Sequence, residues 1–245
     1  MPGEPPFDYY DAEHWAERTP SLLHREKLAL ALLEDVLTAK VRMLDVGCGN
    51  GLFLDRIRGR VADAQLSGVD YSKYQIERPA HASLRLKQAD LTRGIPFDDG
   101  SFDVVYAAEI IEHLVDPDLL LSEIRRVLRP GGALVLTTPN LCAWYNRALF
   151  VLGVQPLFME SSTRSSTIGS GFLRRFKRGS TPVGHVRIFN LDAIRDLLAS
   201  CGFVVEIVRG ASFDYFPGPL RWLDAAIAVY PGLSSNFVIK CRNAQ

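Results

Sequence analysis

Two groups of residues in this chain have types and spacings that could do chemistry. The first is Gly47-Cys48-Gly49-Asn50-Gly51, three glycines at alternate positions, with Asp45 ahead of them and Asp70 after them. Glycines admit positive φ and remove the Cβ that would block an approaching ligand. In nucleoside-binding α/β folds an acid about twenty residues beyond such a turn accepts hydrogen bonds from ribose hydroxyls. The second group is Glu109-Ile110-Ile111-Glu112-His113, with His185 much later in the chain. If the chain is helical from Glu109, its two carboxylates and imidazole share one face at i, i+3 and i+4. Such a set could take a proton from a hydroxyl, or hold a divalent cation that acidifies one. His113 is the candidate base, because an imidazole ordinarily titrates near neutral pH.

The elements that must position these residues follow from periodicity. Val41 to Val46 is a short apolar run that breaks into the glycines, which predicts a buried strand, a tight turn and a helix N-terminus. Leu52 to Arg58 reads as that helix, ended by Gly59. Leu66 to Asp70 predicts a second strand, and Leu84 to Leu91, alternating and acid-tipped, a third. Phe102 to Ala108 predicts the fourth. Asp116 and Pro117 open a helix with apolar positions at 120, 121, 124, 127 and 128, which Pro130-Gly131-Gly132 is expected to stop. Ala133 to Asn140 is the fifth strand. Asn190 can cap a helix that Cys201-Gly202 ends, Phe203 to Val208 is a sixth strand and Phe237 to Cys241 a seventh. Before all of these, a helix with apolar pairs at 22/23, 29/30, 32/33 and 36/37 is expected, capped by Thr19 with Pro20 in its first turn. The strand–helix alternation implies a doubly wound, mostly parallel sheet with helices on both faces.

Composition narrows the class. The chain has 245 residues, 47% hydrophobic and 23% charged, enough to bury a full core. Its formal net charge is zero, so no global field advertises a nucleic-acid partner. The four cysteines are scattered without a C-x-x-C pair, which disfavours a zinc site or disulfide framework. The N-terminus lacks the basic start and apolar core of a signal peptide, and a cytoplasmic protein is expected.

Leu44-Asp45-Val46-Gly47-Cys48-Gly49-Asn50-Gly51, Asp70, Asp90, Phe102-Asp103-Val104-Val105, Glu109 to His113 and Leu128-Arg129-Pro130-Gly131-Gly132 together resemble the class I methyltransferases that use S-adenosylmethionine (SAM). The branch containing the ubiquinone-biosynthesis O-methyltransferases is the nearest in appearance. The likeness is tight over residues 41–140 and looser over 185–241. It implies a seven-stranded, Rossmann-like sheet whose last strand lies antiparallel between its neighbours. It also implies SAM binding by Asp45, Gly47, Gly49, Gly51, Asp70, Asp90 and the Leu91 backbone, and catalysis by His113 and Glu112. Some relatives with this E-x-x-E-H pattern bind a divalent cation, which makes Glu109, Glu112, His113 and His185 candidate ligands for Mg²⁺ or Mn²⁺. Leu52 stands where a dinucleotide fingerprint would place its third glycine, which weighs against a nicotinamide oxidoreductase. No Asn/Asp-Pro-Pro-Tyr/Phe follows the fourth strand, so a hydroxyl acceptor is favoured over an exocyclic base amine. A non-catalytic SAM-binding regulatory or scaffold protein is the rival reading, opposed by the presence of Glu112 and His113.

The expected organisation is an aromatic lid segment and helix over 1–40, the SAM-binding core over 41–140, an inserted lid over 141–184, and the rest of the same domain over 185–245. The aromatics and acids of residues 7–18 are assigned to covering the cofactor. Within the insert, Leu141 to Met159 is strongly apolar but too broken for a transmembrane helix. Ser161 to Thr181 is Ser/Thr/Gly-rich with several arginines, a composition suited to a loop. This pair of features points to a small-molecule acceptor of glycan, lipid-linked or quinone-like kind, and to peripheral membrane contact through 141–184.

Overall fold

The computed structural model describes residues 21–61, 63–176 and 181–244. Thr19, Pro20 and the aromatic segment over 7–18 therefore lie outside the described residues. The helices are α1 (His24–Leu33), α2 (Leu52–Arg58), α3 (Lys73–Ile76), α4 (Pro117–Val127), α5 (Trp144–Val151), α6 (Leu191–Ser200) and α7 (Gly218–Ile227). The strands are β1 (Arg42–Val46), β2 (Gln65–Asp70), β3 (Arg85–Gln88), β4 (Phe102–Ala108), β5 (Leu128–Pro139), β6 (Phe203–Ala211) and β7 (Asn236–Asn243). They form one seven-stranded sheet in the order β3-β2-β1-β4-β5-β7-β6. β7 runs antiparallel to both β5 and β6, and the five strands on the other side are mutually parallel.

Alternation along the strands sends side chains to two buried layers. Leu44, Val105, Leu134 and Ile239 face α4 and α6, while Met43, Val104, Val135 and Val238 face α1 and α2. α4 contributes Leu120, Leu121, Ile124 and Val127, all fully buried, and each such side chain is worth about 2 kcal/mol of apolar burial. Its start follows the sequence reading: Asp116 accepts from the Leu119 N–H at 2.9 Å, with Pro117 in the first turn. Asn190 likewise caps α6 by accepting from Ala193 N.

Three expectations need correction. Pro130-Gly131-Gly132 does not stop α4, which ends at Val127. The three residues lie inside β5 as an irregularity, where the register against β4 jumps from Phe102↔Leu128 to Val104↔Ala133. Gly131 supplies the positive φ (+69°) this bend needs. Second, α1 begins at His24, after Glu26 has turned back to accept from the Leu23 N–H at 3.0 Å. Third, the stretch from Phe213 to Trp222, whose aromatics and prolines give no helical periodicity in the sequence, contains the start of α7; Pro219 sits in its first turn, where a missing N–H costs nothing.

The carboxyl ends of β1, β2, β4 and β5 share one edge of the sheet. The chain winds to opposite sides from β1 and β4, and such a switch point is where open α/β sheets leave a crevice for ligands. Both groups of candidate residues emerge there.

Candidate functional site

The glycine turn is built by backbone geometry. Gly47, Gly49 and Gly51 have φ of +78°, +54° and +79°, values that an L residue with a Cβ resists. The N–H groups of Gly47 and Cys48 both donate to Val69 O, at 2.9 and 3.0 Å, which ties the turn to β2. At the tip of β2, Asp70 accepts from Gly49 N at 2.7 Å and from Ser72 N at 2.8 Å. The glycines differ in what surrounds them. A Cβ on Gly51 would lie 2.8 Å from Leu84 Cδ1, whereas one on Gly49 would meet nothing within 4 Å. Gly51 is therefore demanded by packing, and Gly49 borders open space.

Asp45 is buried within β1, opposite Gly68 and Tyr106. Asp90 lies at the same edge as Asp70, since Ala89 N donates to Asp70 O at 2.8 Å. Its carboxylate accepts from Thr92 N and Oγ1, at 3.0 and 2.7 Å, and faces Arg93 at 3.3 Å. The Leu91 side chain is buried in the core beneath.

Beyond β4 the chain does not continue as the expected helix. Glu109 adopts a left-handed conformation (φ +51°) and only Ile111–His113 forms a single 3₁₀ turn. Thr137 fixes this reversal from β5, its O accepting from Glu109 N at 3.0 Å and its hydroxyl donating to Glu109 Oε1 at 2.9 Å. Asn236 Nδ2 also donates to the Glu109 carboxylate, at 3.2 Å to Oε2, and Arg25 lies 3.6 Å from it. Glu109 is thus turned to Thr137, Asn236 and Arg25. The reversal lays Ile110 against the glycine turn, so that a Cβ on Gly47 would be 3.2 Å from Ile110 Cδ1. The two groups of residues are therefore neighbours.

Glu112, His113 and His185 come together without Glu109. One donor atom from each lies within 4.8 Å of the others, and the two imidazoles are 4.9 Å apart. Glu112 is fully buried: Thr138 Oγ1 donates to its Oε2 at 3.0 Å, while Oε1 has no hydrogen-bond partner. His113 Nδ1 is 3.2 Å from Gly184 O, and His185 Nδ1 is 2.9 Å from Phe158 O. A carbonyl only accepts, so each Nδ1 carries the hydrogen and each neutral ring has its lone pair on Nε2.

Burial sets the protonation states. Desolvation, reinforced by the charge of Glu109, pushes the Glu112 carboxyl well above the usual carboxylate range. Desolvation, reinforced by His185, lowers His113 to about 4. His113 is therefore neutral at working pH rather than poised near it, which corrects the sequence expectation.

A wall of aromatic rings adjoins these imidazoles. Phe158 packs on His185 and Phe213, Phe213 on Tyr215 and Phe216, and Phe216 on Trp144 and Tyr145, with centroids 5.2 to 6.4 Å apart. Buried Asp224 of α7 holds the far end, accepting from Trp144 Nε1 and Ser235 Oγ, both at 2.8 Å, and from Phe213 N. Sequence reasoning missed Thr137, Thr138, Phe158 and Asp224. A polar pair ending an otherwise apolar strand was the available signal for the two threonines.

The family model described as a methyltransferase domain matches residues 44–136, which span the glycine turn and the Glu109–His113 segment. The chain belongs to the class I SAM-dependent methyltransferases. A probable S-adenosylmethionine-dependent methyltransferase of Mycolicibacterium smegmatis is 38% identical over 69% of this chain and 54% of its own length. A ubiquinone biosynthesis O-methyltransferase of a Chelativorans species is 27% identical over 81% of this chain and 73% of its own. The chain spans only 30% to 54% of the length of four curated relatives that it matches. Among solved structures, a SAM-dependent methyltransferase of Aquifex aeolicus shares the fold with a TM-score of 0.57 at 15% identity, covering 97% of this chain and 96% of that one.

Proposed function

We propose that this protein transfers the methyl group of SAM to a hydroxyl of a small-molecule acceptor. The observation that supports the reading is the close approach of Ile110 to Gly47, with Glu112 and His113 following Ile110 in the chain and His185 clustered with them. On this reading Asp45, Gly47, Gly49, Gly51, Asp70, Asp90 and the Leu91 backbone serve the nucleoside end. The reaction is an in-line displacement: the C–S bond breaks with its electrons passing to sulfur, the C–O bond forms, and the hydroxyl proton must leave. Alignment supplies much of the rate, because a bound near-attack geometry replaces a bimolecular encounter. The proton passes to His113 Nε2. A lone imidazole titrating near 4 would hold it weakly, so the step requires Glu112 alongside in its ionised form, which stabilises the imidazolium.

The residues also fit a divalent cation. Glu112, His113 and His185 offer three donors, and Glu112 Oε1 is buried without a partner. Two imidazoles and one carboxylate suit Mn²⁺ better than the oxygen-seeking Mg²⁺. A bound cation would supply a lowered pKa for the acceptor hydroxyl. The aromatic wall favours an acceptor with a flat, quinone-like ring.

Among the described residues no helix is long and apolar enough to cross a membrane. Peripheral contact through 141–184 is supported by Phe150, Val151, Leu152, Ile168 and Phe172, all exposed, near-neighbours in sequence of Arg164, Arg174 and Arg175. Cosedimentation with vesicles of phosphatidylcholine alone and with added phosphatidylglycerol tests this contact, and equal absence from both pellets removes it.

The central test is calorimetric titration with S-adenosylhomocysteine, followed by an acceptor screen with and without EDTA. Micromolar binding and methylation of a phenolic or sugar hydroxyl are expected. Failure of the folded protein to bind S-adenosylhomocysteine overturns the reading.

A further inference from the structure

The insert leaves β5 at Asn140 and returns before α6, and its middle is fastened to its returning end beside the histidines. The fastener is Glu160. Its carboxylate accepts from three successive backbone N–H groups, Val183 at 2.7 Å, Gly184 at 2.7 Å and His185 at 3.1 Å. Gly184 has φ +82°, the left-handed conformation that lets successive N–H groups converge on one anion. The segment it grips supplies both histidine contacts: the Gly184 carbonyl accepts from His113 Nδ1, and His185 Nδ1 donates to the Phe158 carbonyl. Its next residues, Val186 and Arg187, donate through their N–H groups to Glu112 O at 2.9 and 3.1 Å. Phe158, two residues before Glu160, is held at φ +70° without being glycine, a strained conformation that persists only where its surroundings impose it.

We propose that Glu160 is a positioning residue: by gripping residues 183–185 it locks the Nδ1–H tautomer of both His113 and His185. It touches neither substrate nor cofactor on this reading. Its grip fixes where the Gly184 carbonyl sits, and with it which nitrogen of His113 carries the hydrogen. It also fixes where the His185 ring meets Phe158. Both Nε2 atoms are thereby kept as lone-pair nitrogens, the form needed for accepting a proton or ligating a cation. The inference deepens the reading of Glu112, His113 and His185 as the acceptor end of the site, and rests on it for its consequence in turnover.

The test uses the full chain, labelled with ¹⁵N, at pH 8. Two-bond ¹H–¹⁵N spectra report the tautomer of each imidazole, with His113→Gln and His185→Gln variants assigning the signals. The wild type is expected to show both rings as Nδ1–H. In Glu160→Ala both should become tautomer mixtures, with S-adenosylhomocysteine affinity unchanged within about twofold. With a methylated acceptor in hand, kcat should fall about tenfold or more, the usual range for an outer-shell partner, at unchanged KM for SAM. Glu160→Gln keeps one acceptor oxygen and should fall between, so it carries the test if the alanine variant does not fold. Retention of the Nδ1–H tautomer in a folded variant, or its absence in the wild type, overturns the proposal. Loss of S-adenosylhomocysteine binding by the wild type would instead overturn the methyltransferase reading and leave the tautomer result standing.

Discussion

The two halves of the site are made in different ways. The glycine turn and Asp70 are products of regular strand-to-helix junctions, and their contacts span short stretches of sequence: Gly49 to Asp70, Gly47 and Cys48 to Val69. The half that holds Glu112, His113 and His185 is assembled from a left-handed residue, a single 3₁₀ turn and the middle and returning end of an insert, with contacts such as Gly184 to His113 bridging 71 positions. The first half can be copied wherever the same βαβ unit recurs. The second depends on this chain's own insert, so on the proposed function the acceptor would be selected by the part of the molecule with the least regular structure.

If this division holds, substitutions in one half should leave the other half's function intact. The largest effect is expected for Glu112→Gln. Turnover should fall by up to about a hundredfold, the upper range for losing the carboxylate that supports a functional imidazole, with S-adenosylhomocysteine affinity unchanged by calorimetry. A matching loss of affinity would break the comparison. Next, Asp70→Asn should weaken S-adenosylhomocysteine by about tenfold, since charge-assisted hydrogen bonds are worth about 1.5–3 kcal/mol, while the His113 and His185 tautomers stay as they are.

A finer division lies within the glycine turn. Gly49→Ala introduces a Cβ into open space, so its main cost should appear as weakened S-adenosylhomocysteine, with about 1 kcal/mol of stability lost to the positive φ. Gly51→Ala drives a Cβ against Leu84 and should cost about 2 kcal/mol or more in urea unfolding. The reverse order of binding and stability effects would show that the turn is misread.

The smallest effect belongs to the opposite edge of the sheet. Asp103 is held by Arg42 and Arg129. Burial alone would raise its pKa, but the hydrogen bonds from Arg42 and Arg129 outweigh this and lower it to about 2. A depressed carboxylate stabilises the fold above its unfolded pKa, and that contribution fades as pH falls from 3.8 to about 2. Solvent screens a pair this exposed, so Asp103→Asn should cost only about 0.5 kcal/mol at pH 7, a difference that shrinks over that acid window in urea titrations, with cofactor affinity unmoved.

The same division explains what could be read from sequence. Apolar periodicity located the seven strands, and the order and antiparallel last strand agree with the family resemblance. The glycine turn was legible because positive φ demands glycine, so residue type reports conformation directly. At Glu109 residue type misled: i, i+3 spacing suggests a helix, yet hydrogen bonds from β5 impose a left-handed bend on a non-glycine residue. α7 was hidden because Pro217, Gly218 and Pro219 read as loop, although proline suits a first turn. Glu160 could not be found, since its three partners lie 23 to 25 positions away across a loop without periodicity.

Cys48 sits between the glycines with its thiol buried, and its Sγ lies 2.6 Å from where a Cβ on Gly68 would be. Burial slows any alkylating reagent at that sulfur while the turn is shut against β2. The rate at which Cys48 is alkylated is therefore a clock for the opening of the turn, and a ligand that closes it should slow the clock in proportion to its occupancy.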